Sequence, residues 1–289
     1  MKQIKTLLAA LFVAMAGTAS AQTTNWVHIF KNNGSAAHYS QTEIQLMTID
    51  TEEPYVEFTS GGNTVKVAKM NLGATSVADG TSCYGDYYAW GATETFGTVD
   101  QSTGTVTPTT GHDGGYSQAN APYWNGSAYT KYTGTSDATL EAADDAVAAN
   151  MPGWHMPTQA EIQTLYAACG GSGSTPTGTI SSNQEAYPST AGIYWVTGGN
   201  AAVKIDDDTY SVNGLLFVQD ADHHVFFPAA GRVGGTDLKN AGNFGYYWSS
   251  SLNTGYTSYA YRLYFYSNYV RPDSSHYRYY GYPVRPFKD

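Results

Sequence analysis

The side chains best suited to chemistry lie toward the C-terminal end, where Tyr256, Tyr259, Tyr261, Tyr264, Tyr266, Tyr269, Tyr277, Tyr279 and Tyr280 are interleaved with Ser258, Arg262, Asn268, Arg271, Asp273, Ser274, His276 and Arg278. The chemistry they offer is recognition. Tyrosine brings a large, rigid, amphipathic contact with two torsions to freeze, and the polar residues supply hydrogen bonds, as in an antibody paratope. Between Asn253 and Tyr282 there is no Lys, Glu, Gln, Met or Trp. Randomising the adenines of an AAC or AAT asparagine codon reaches Tyr, His, Asp, Ser, Thr, Arg and Gly, but none of those five. Two readings stay open: a diversified binding site, or a fixed pair of Tyr-rich strands facing solvent.

Residue types that could carry catalysis are sparse and badly spaced for it. His223-His224 is the one adjacent histidine pair, and it follows Asp220-Ala221-Asp222 in an expected hairpin turn. No third ligand or paired nucleophile is implied there. Asp206-Asp207-Asp208 lacks the further spaced oxygen ligands of a calcium loop and reads as an acidic surface turn. Asp144, Asp145 and Glu161 fall on expected helices, where a cap or a solvated face accounts for them. There is no glycine-rich phosphate loop and no serine-nucleophile elbow. Cys83 and Cys169 are the only cysteines, too few for a zinc cluster, and whether they form one bridge after export stays open. No catalytic residue, metal ligand or cofactor is expected.

Whatever positions the tyrosines must be built from the rest of the 289 residues. Lys2 and Lys5, the apolar run Leu7 to Ala16 and Ala19-Ser20-Ala21 fit a signal peptide over 1–21. The product is therefore expected to be exported, to the periplasm, the cell surface or the medium, without direct membrane insertion. A net charge of −10 disfavours nucleic acid. Within the C-terminal segment, however, Arg262, Arg271, Arg278, Arg285 and Lys288 outnumber Asp273 and Asp289, a bias that suits anionic or π-rich ligands.

Residues 22–53 read as a small β module, with a strand at Trp26–Phe30, a turn at Lys31-Asn32-Asn33-Gly34, a second apolar stretch at Ile44–Ile49, and a linker at Glu52-Glu53-Pro54. Residues 54–289 read as one α+β domain. Thr93 to Tyr132, rich in Gly, Thr, Ser and Pro, reads as a long irregular surface insertion. A first helix is expected after an N-cap at Thr139, with Leu140, Ala143 and Val147 as its stripe and Pro152-Gly153 as its stop. A second follows the capping box of Thr158 and Glu161, with Ile162, Leu165 and Tyr166 inward. From Tyr194 onward short strands dominate. Alternation over Ala260 to Tyr266 sets Tyr261, Leu263 and Phe265 on one face and Arg262, Tyr264 and Tyr266 on the other, the face for solvent or ligand.

Several blocks then carry a family resemblance. Trp154-His155-Met156-Pro157-Thr158-Gln159-Ala160-Glu161, Phe226-Phe227-Pro228-Ala229-Ala230-Gly231, Tyr247-Trp248-Ser249-Ser250 and Val284-Arg285-Pro286 resemble the signature of the Fibrobacter-succinogenes major paralogous domain family. Asn71-Leu72-Gly73-Ala74 and Tyr88-Ala89-Trp90-Gly91 are similar to its opening blocks. The resemblance implies a C-type-lectin-like fold over 54–289. It also implies kinship with the variable proteins of diversity-generating retroelements, in which a C-terminal region is rewritten at adenines, here 253–282. A protein or glycan ligand, carried on another cell or on a phage, is then the expected partner, and Leu263, Phe265, Val270 and Trp248 are the expected scaffold. A fixed surface adhesin and a carbohydrate-binding structural protein are the alternatives. The calcium-binding triplets of lectins with this fold are absent, and Arg271-Pro272-Asp273 replaces a ligand with a cation. The cysteine pair of related sulfatase-activating oxidases is not matched by Cys83 and Cys169.

Overall fold

The computed structural model describes residues 26–30, 36–40 and 54–289, and its contacts divide the chain into two units that meet between Glu52 and Glu53. The expected signal peptide, the 31–34 turn and the 44–49 stretch lie outside the described residues. In the first unit β1 (Trp26–Phe30) pairs antiparallel with β2 (Ala36–Ser40), Trp26 opposite Ser40 and Phe30 opposite Ala36. The partner of β1 is a near neighbour in sequence, as the lower entropy of closing a short loop favours.

The second unit is a mostly β, α+β domain with two α-helices among its described residues. In chain order its elements are β3 (Tyr55–Ser60), β4 (Asn63–Ala68), β5 (Gly97–Asp100), β6 (Thr105–Pro108), α1 (Ala146–Asn150), β7 (Trp154–His155) and α2 (Gln159–Ala168). There follow β8 (Gly178–Ile180), β9 (Gly192–Thr197), β10 (Val203–Ile205), β11 (Asp208–Tyr210), β12 (Asn213–Val218) and β13 (His224–Pro228). The chain closes with β14 (Arg232–Gly234), β15 (Asp237–Lys239), β16 (Phe244–Leu252), β17 (Tyr259–Tyr266), β18 (Tyr269–Tyr277) and β19 (Phe287–Lys288). Sheet orders are β3-β4-β19-β7, β13-β12-β9-β8, β14-β15-β6-β5, β16-β17-β18 and the hairpin β10-β11. Because β19 inserts between β4 and β7, the last strand ties the domain's first hairpin to the segment before α2.

Helix α2 begins where its capping box puts it. Thr158 accepts from the Glu161 amide and Glu161 accepts from the Thr158 amide, an arrangement that stabilises a helix start by about 1 kcal/mol. Ile162, Leu165 and Tyr166 are buried with Phe58, Val67, Trp195, Phe227, Leu263, Phe265 and Val270. Helix α1, in contrast, starts later than expected. Thr139 bridges to Ser251 in a β-contact, Ala142–Asp144 makes a 3-10 turn, and Asp145 caps α1 by accepting from Val147 and Ala148. Leu140 and Val147 do share a core cluster, so the apolar spacing found the contacts while Asp145 reset the helix boundary by taking backbone amides with its side chain.

The segment from Thr93 to Tyr132 is irregular over most of its length, as expected, but it contains a hairpin and two buried tyrosines. Strands β5 and β6 form a hairpin in register from Gly97 opposite Pro108 to Asp100 opposite Thr105. Thr-Val alternation with β-branched residues outweighs the Gly and Ser around it. Tyr116 and Tyr132 are fully buried. Tyr116 donates to the carbonyl of Tyr87 and accepts from the Phe96 amide, anchoring the segment to the core. Cys83 and Cys169 are free thiols in separate core clusters. Burial pushes Cys83 up to about 12.

Candidate ligand-binding surface

Strand β17 is the middle of three antiparallel strands, so its side chains divide between two faces. Gly245, Tyr247, Leu263, Phe265 and Val270 turn to one side, and all but the glycine enter the core beneath α2. On the other side Phe244, Tyr246 and Trp248 of β16 stand level with Tyr266, Tyr264 and Arg262 of β17. Across the second seam Tyr269, Arg271 and Ser274 of β18 complete the rows. The alternation read over Ala260 to Tyr266 separates Leu263 and Phe265 from Arg262, Tyr264 and Tyr266 as observed; the expected scaffold residues Val270 and Trp248 are also buried, Val270 on the core face and Trp248 on the opposite one.

The row away from the core is less open than its residue types suggest. Rings of Tyr246 and Tyr264 stack at 5.2 Å, Tyr264 meets Tyr266 at 5.8 Å, and Tyr266 stacks on Tyr269 at 5.2 Å. The chain beyond β18 then folds over the same face. Tyr282, fully buried, stacks on Tyr246 at 5.3 Å and on Trp248 at 4.1 Å, and Tyr280 lies parallel to Tyr282. The band continues through Tyr279 and Tyr277 to Tyr259 and Tyr256. Most of these rings are half-buried by one another. Tyr256, 71% exposed, and Tyr277, 37% exposed, are the ones that stand clear.

Arg262 sits in the middle of the band rather than on it. Its exposure is 7%, its guanidinium is 5.0 Å from the Tyr246 ring centre and 4.9 Å from that of Tyr264, and it donates to the Tyr282 hydroxyl and the Ser274 hydroxyl. Each such aromatic contact contributes about 0.5–2 kcal/mol, so Arg262 binds the rows together. His276 stacks loosely on Tyr259 and contacts Tyr280 at 5.0 Å. Burial, then the charges of Arg262 and Arg232, pull its pKa down to about 4, and its buried Nδ1 has no hydrogen-bond partner.

The remaining expected site residues scatter. Arg271 pairs with Asp273 at 3.0 Å on the surface. Asn268 is exposed in the β17–β18 turn. Tyr261 is half-buried on the opposite face, and its carbonyl accepts from Ser249 Oγ. The half-buried Ser258 presents its carbonyl to the Arg278 amide. Arg278 is the clear departure: it is fully buried, lies over Trp90 at 4.7 Å and Tyr129 at 3.9 Å, and donates to the carbonyls of Lys131, Tyr132 and Thr257. It fastens the band to the 123–132 segment and offers nothing to a ligand.

The signature blocks converge on a buried polar node. Asn71 donates to the carbonyls of Cys83 and Tyr84 and to the Tyr247 hydroxyl, which donates to the Pro228 carbonyl. Arg285 donates to Asn71 Oδ1 and to the carbonyls of Ala68, Lys69 and Phe226. Trp90 and Trp248 donate their indole N–H to the carbonyls of Ser249 and Tyr88. These residues hold scaffold together.

The other titratable groups are engaged structurally. His223 pairs with Asp220 beside the β12–β13 turn, and His224 stacks on Tyr187, whose hydroxyl donates to Asp208 at 2.5 Å. Asp206 and Asp207 form the β10–β11 turn, with Asp206 in the left-handed region. Asp144 accepts from Tyr123, Tyr132 and Lys131. Among the described residues no group of three or more His, Cys, Asp or Glu could hold a metal ion, and no helix is long and apolar enough to cross a membrane.

Fold and surface together define a β-rich α+β domain that displays an aromatic, cationic band on a three-stranded sheet. Residues 215–287, which contain that sheet, match the model of a domain family of unknown function, DUF8237. No curated protein and no solved structure matches the chain.

Proposed function

We propose that this is an exported, non-catalytic ligand-binding protein with a C-type-lectin-like fold, whose Tyr-rich band is rewritten by a diversity-generating retroelement. The observation that carries the reading is the division of labour within β16 to β18. One face is an apolar frame, and the other carries Tyr, Arg, Ser and His beside Phe244 and Trp248. The restricted residue set of 253–282 and the resemblance of the flanking blocks to retroelement variable proteins support the same reading. A protein or glycan on another cell or on a phage is the partner class, met first by Tyr256 and Tyr277 because they protrude, and Trp and Tyr at such positions dominate binding energy.

Two measurements test it. The DNA downstream of the coding sequence should contain a near-copy of the 3′ end with AAC or AAT at the Tyr, Ser, His, Asp and Arg codons, beside a reverse transcriptase; absence of both leaves a fixed adhesin. A glycan and protein array probed with the exported chain should lose its signal for Tyr256→Ala combined with Tyr277→Ala. An unchanged signal in that folded double variant would move binding elsewhere.

A further inference from the structure

The β14–β15 hairpin sets two cations directly across from each other, Arg232 opposite Lys239. Side chains paired in this way share one face about 5 Å apart at Cβ, and like charges there repel. Lys239 has Asp237 within reach at 3.5 Å, both side chains being well exposed. Arg232 has no carboxylate partner and no hydrogen bond among the described residues. Its guanidinium lies 4.2 Å from the centre of the Tyr280 ring.

A bridge between Val233 and Gly281 holds this hairpin against the end of the aromatic band, and a groove of about 360 Å³ opens between them. That volume is at the small end of the range for ligand pockets. Arg232, Lys239, Ser117, Gln118, Tyr279 and Tyr280 line it. A side chain at Gly234 would stand 2.9 Å from the Tyr280 ring, so the backbone stays bare there. The side chains of Ser117 and Gln118 make no hydrogen bonds with other described residues, and the lining contains no aliphatic side chain and no carboxylate.

Hydroxyl, amide and cationic groups set around the rings of Tyr116, Tyr279 and Tyr280 suit a ligand that is polyhydroxylated and anionic. A sugar acid presents hydroxyls all around a ring that can lie on tyrosine, whereas an acidic side chain would engage the two cations and leave most of the hydroxyl and amide groups unmatched. We propose that this groove binds the acidic ring of a hexuronate-containing saccharide. Its carboxylate meets Arg232 and Lys239, and its ring hydroxyls meet Ser117, Gln118 and the two tyrosines. The proposal rests on the ligand-binding reading of the adjoining band and names the chemistry at one end of it. Arg232, Lys239, Ser117 and Gln118 lie outside 253–282, so the carboxylate-binding pair stays constant while Tyr279 and Tyr280, inside that segment, set the other wall.

The test titrates the intact exported chain with glucuronate, with glucose, acetate and sulfate as controls, followed by amide NMR shifts. Glucuronate should move the amides of Ser117, Gln118, Gly234 and Gly235 with a Kd on the order of millimolar, and glucose and acetate should each bind at least about tenfold more weakly. Arg232→Gln, with its fold checked by near-UV circular dichroism, should raise the glucuronate Kd at least about tenfold. No shift with glucuronate, an unchanged Kd in Arg232→Gln, or equal binding of acetate or sulfate, meaning a free carboxylate or an adventitious ion only, would each overturn the proposal. Failure here, with the array signal still abolished by Tyr256→Ala and Tyr277→Ala, leaves the aromatic band standing. Loss of dependence on both removes the band as well.

Discussion

Arg262, Arg278 and Arg285 are three largely or fully buried guanidiniums without a carboxylate partner among the described residues, and each is accommodated by aromatic faces and neutral oxygens. Arg285 is the most committed, with four donor contacts to carbonyl and amide oxygens and its plane 4.4 Å from the Phe227 ring centre. Burial lowers its pKa to about 10, and it keeps its charge at neutral pH. Arg285→Met would strand four acceptors at once, and a loss of about 3–5 kcal/mol is expected in urea unfolding. Arg278→Ala should cost about 2–4 kcal/mol through lost packing and three orphaned carbonyls, yet leave array binding unchanged in the folded protein. Residue type alone put Arg262, Arg271 and Arg278 in one class. Only Arg271 is a solvent-exposed arginine. Arg278 was misread because the carbonyls of Tyr132 and Lys131 that receive it are 146 and 147 positions away, beyond any local pattern.

Elements obeyed sequence rules where the rule was local. The Thr158 box, the alternation of β17 and the short strands from Tyr194 were all readable, because capping and pleat depend on a few neighbouring residues. Thr158→Ala is expected to lower stability by about 1 kcal/mol in thermal or urea melts. The β5–β6 hairpin was hidden by its Gly and Ser surroundings. The β14–β15 hairpin, whose Arg232 and Lys239 line the groove, carried a usable signal in Gly235-Thr236, a glycine-first pair suited to a two-residue turn. Register sets a further constraint: Gly245 lies opposite Phe265, and a Cβ there would stand 2.0 Å from the ring. Gly245→Ala should therefore cost about 1–3 kcal/mol by overpacking and blunt the near-UV circular dichroism of the aromatic sheet.

At the scale of the molecule, His155 clasps distant parts of the domain. Its Nε2 meets Glu161 at 2.9 Å and its Nδ1 meets Asp289 at 2.6 Å. The Glu161 hydrogen bond outweighs burial, and with Asp289 it raises the imidazole to about 9. Because that value lies above the unfolded histidine near 6.5, the clasp is fully stabilising below about pH 6.5 and is lost as pH rises through 9. Burial pushes Glu161 up, but its bonds to His155 and Thr158 hold it below the usual range, which adds a separate loss at acid pH. Stability measured from pH 6 to 10 should fall by about 1–3 kcal/mol, and His155→Gln should flatten that limb. The sequence by itself determined what is encoded in neighbours: the Tyr, Ser and Arg vocabulary of 253–282, the alternation that separates Leu263 and Phe265 from Tyr264 and Tyr266, and the start of α2. Only the tertiary structure decided which of those side chains remain available. Exposure follows from everything packed around a residue, and the return of Tyr279 to Tyr282 over β16 and β17 turns an open row into a band of which Tyr256 and Tyr277 stand clear, beside a groove half built by a hairpin from elsewhere in the chain.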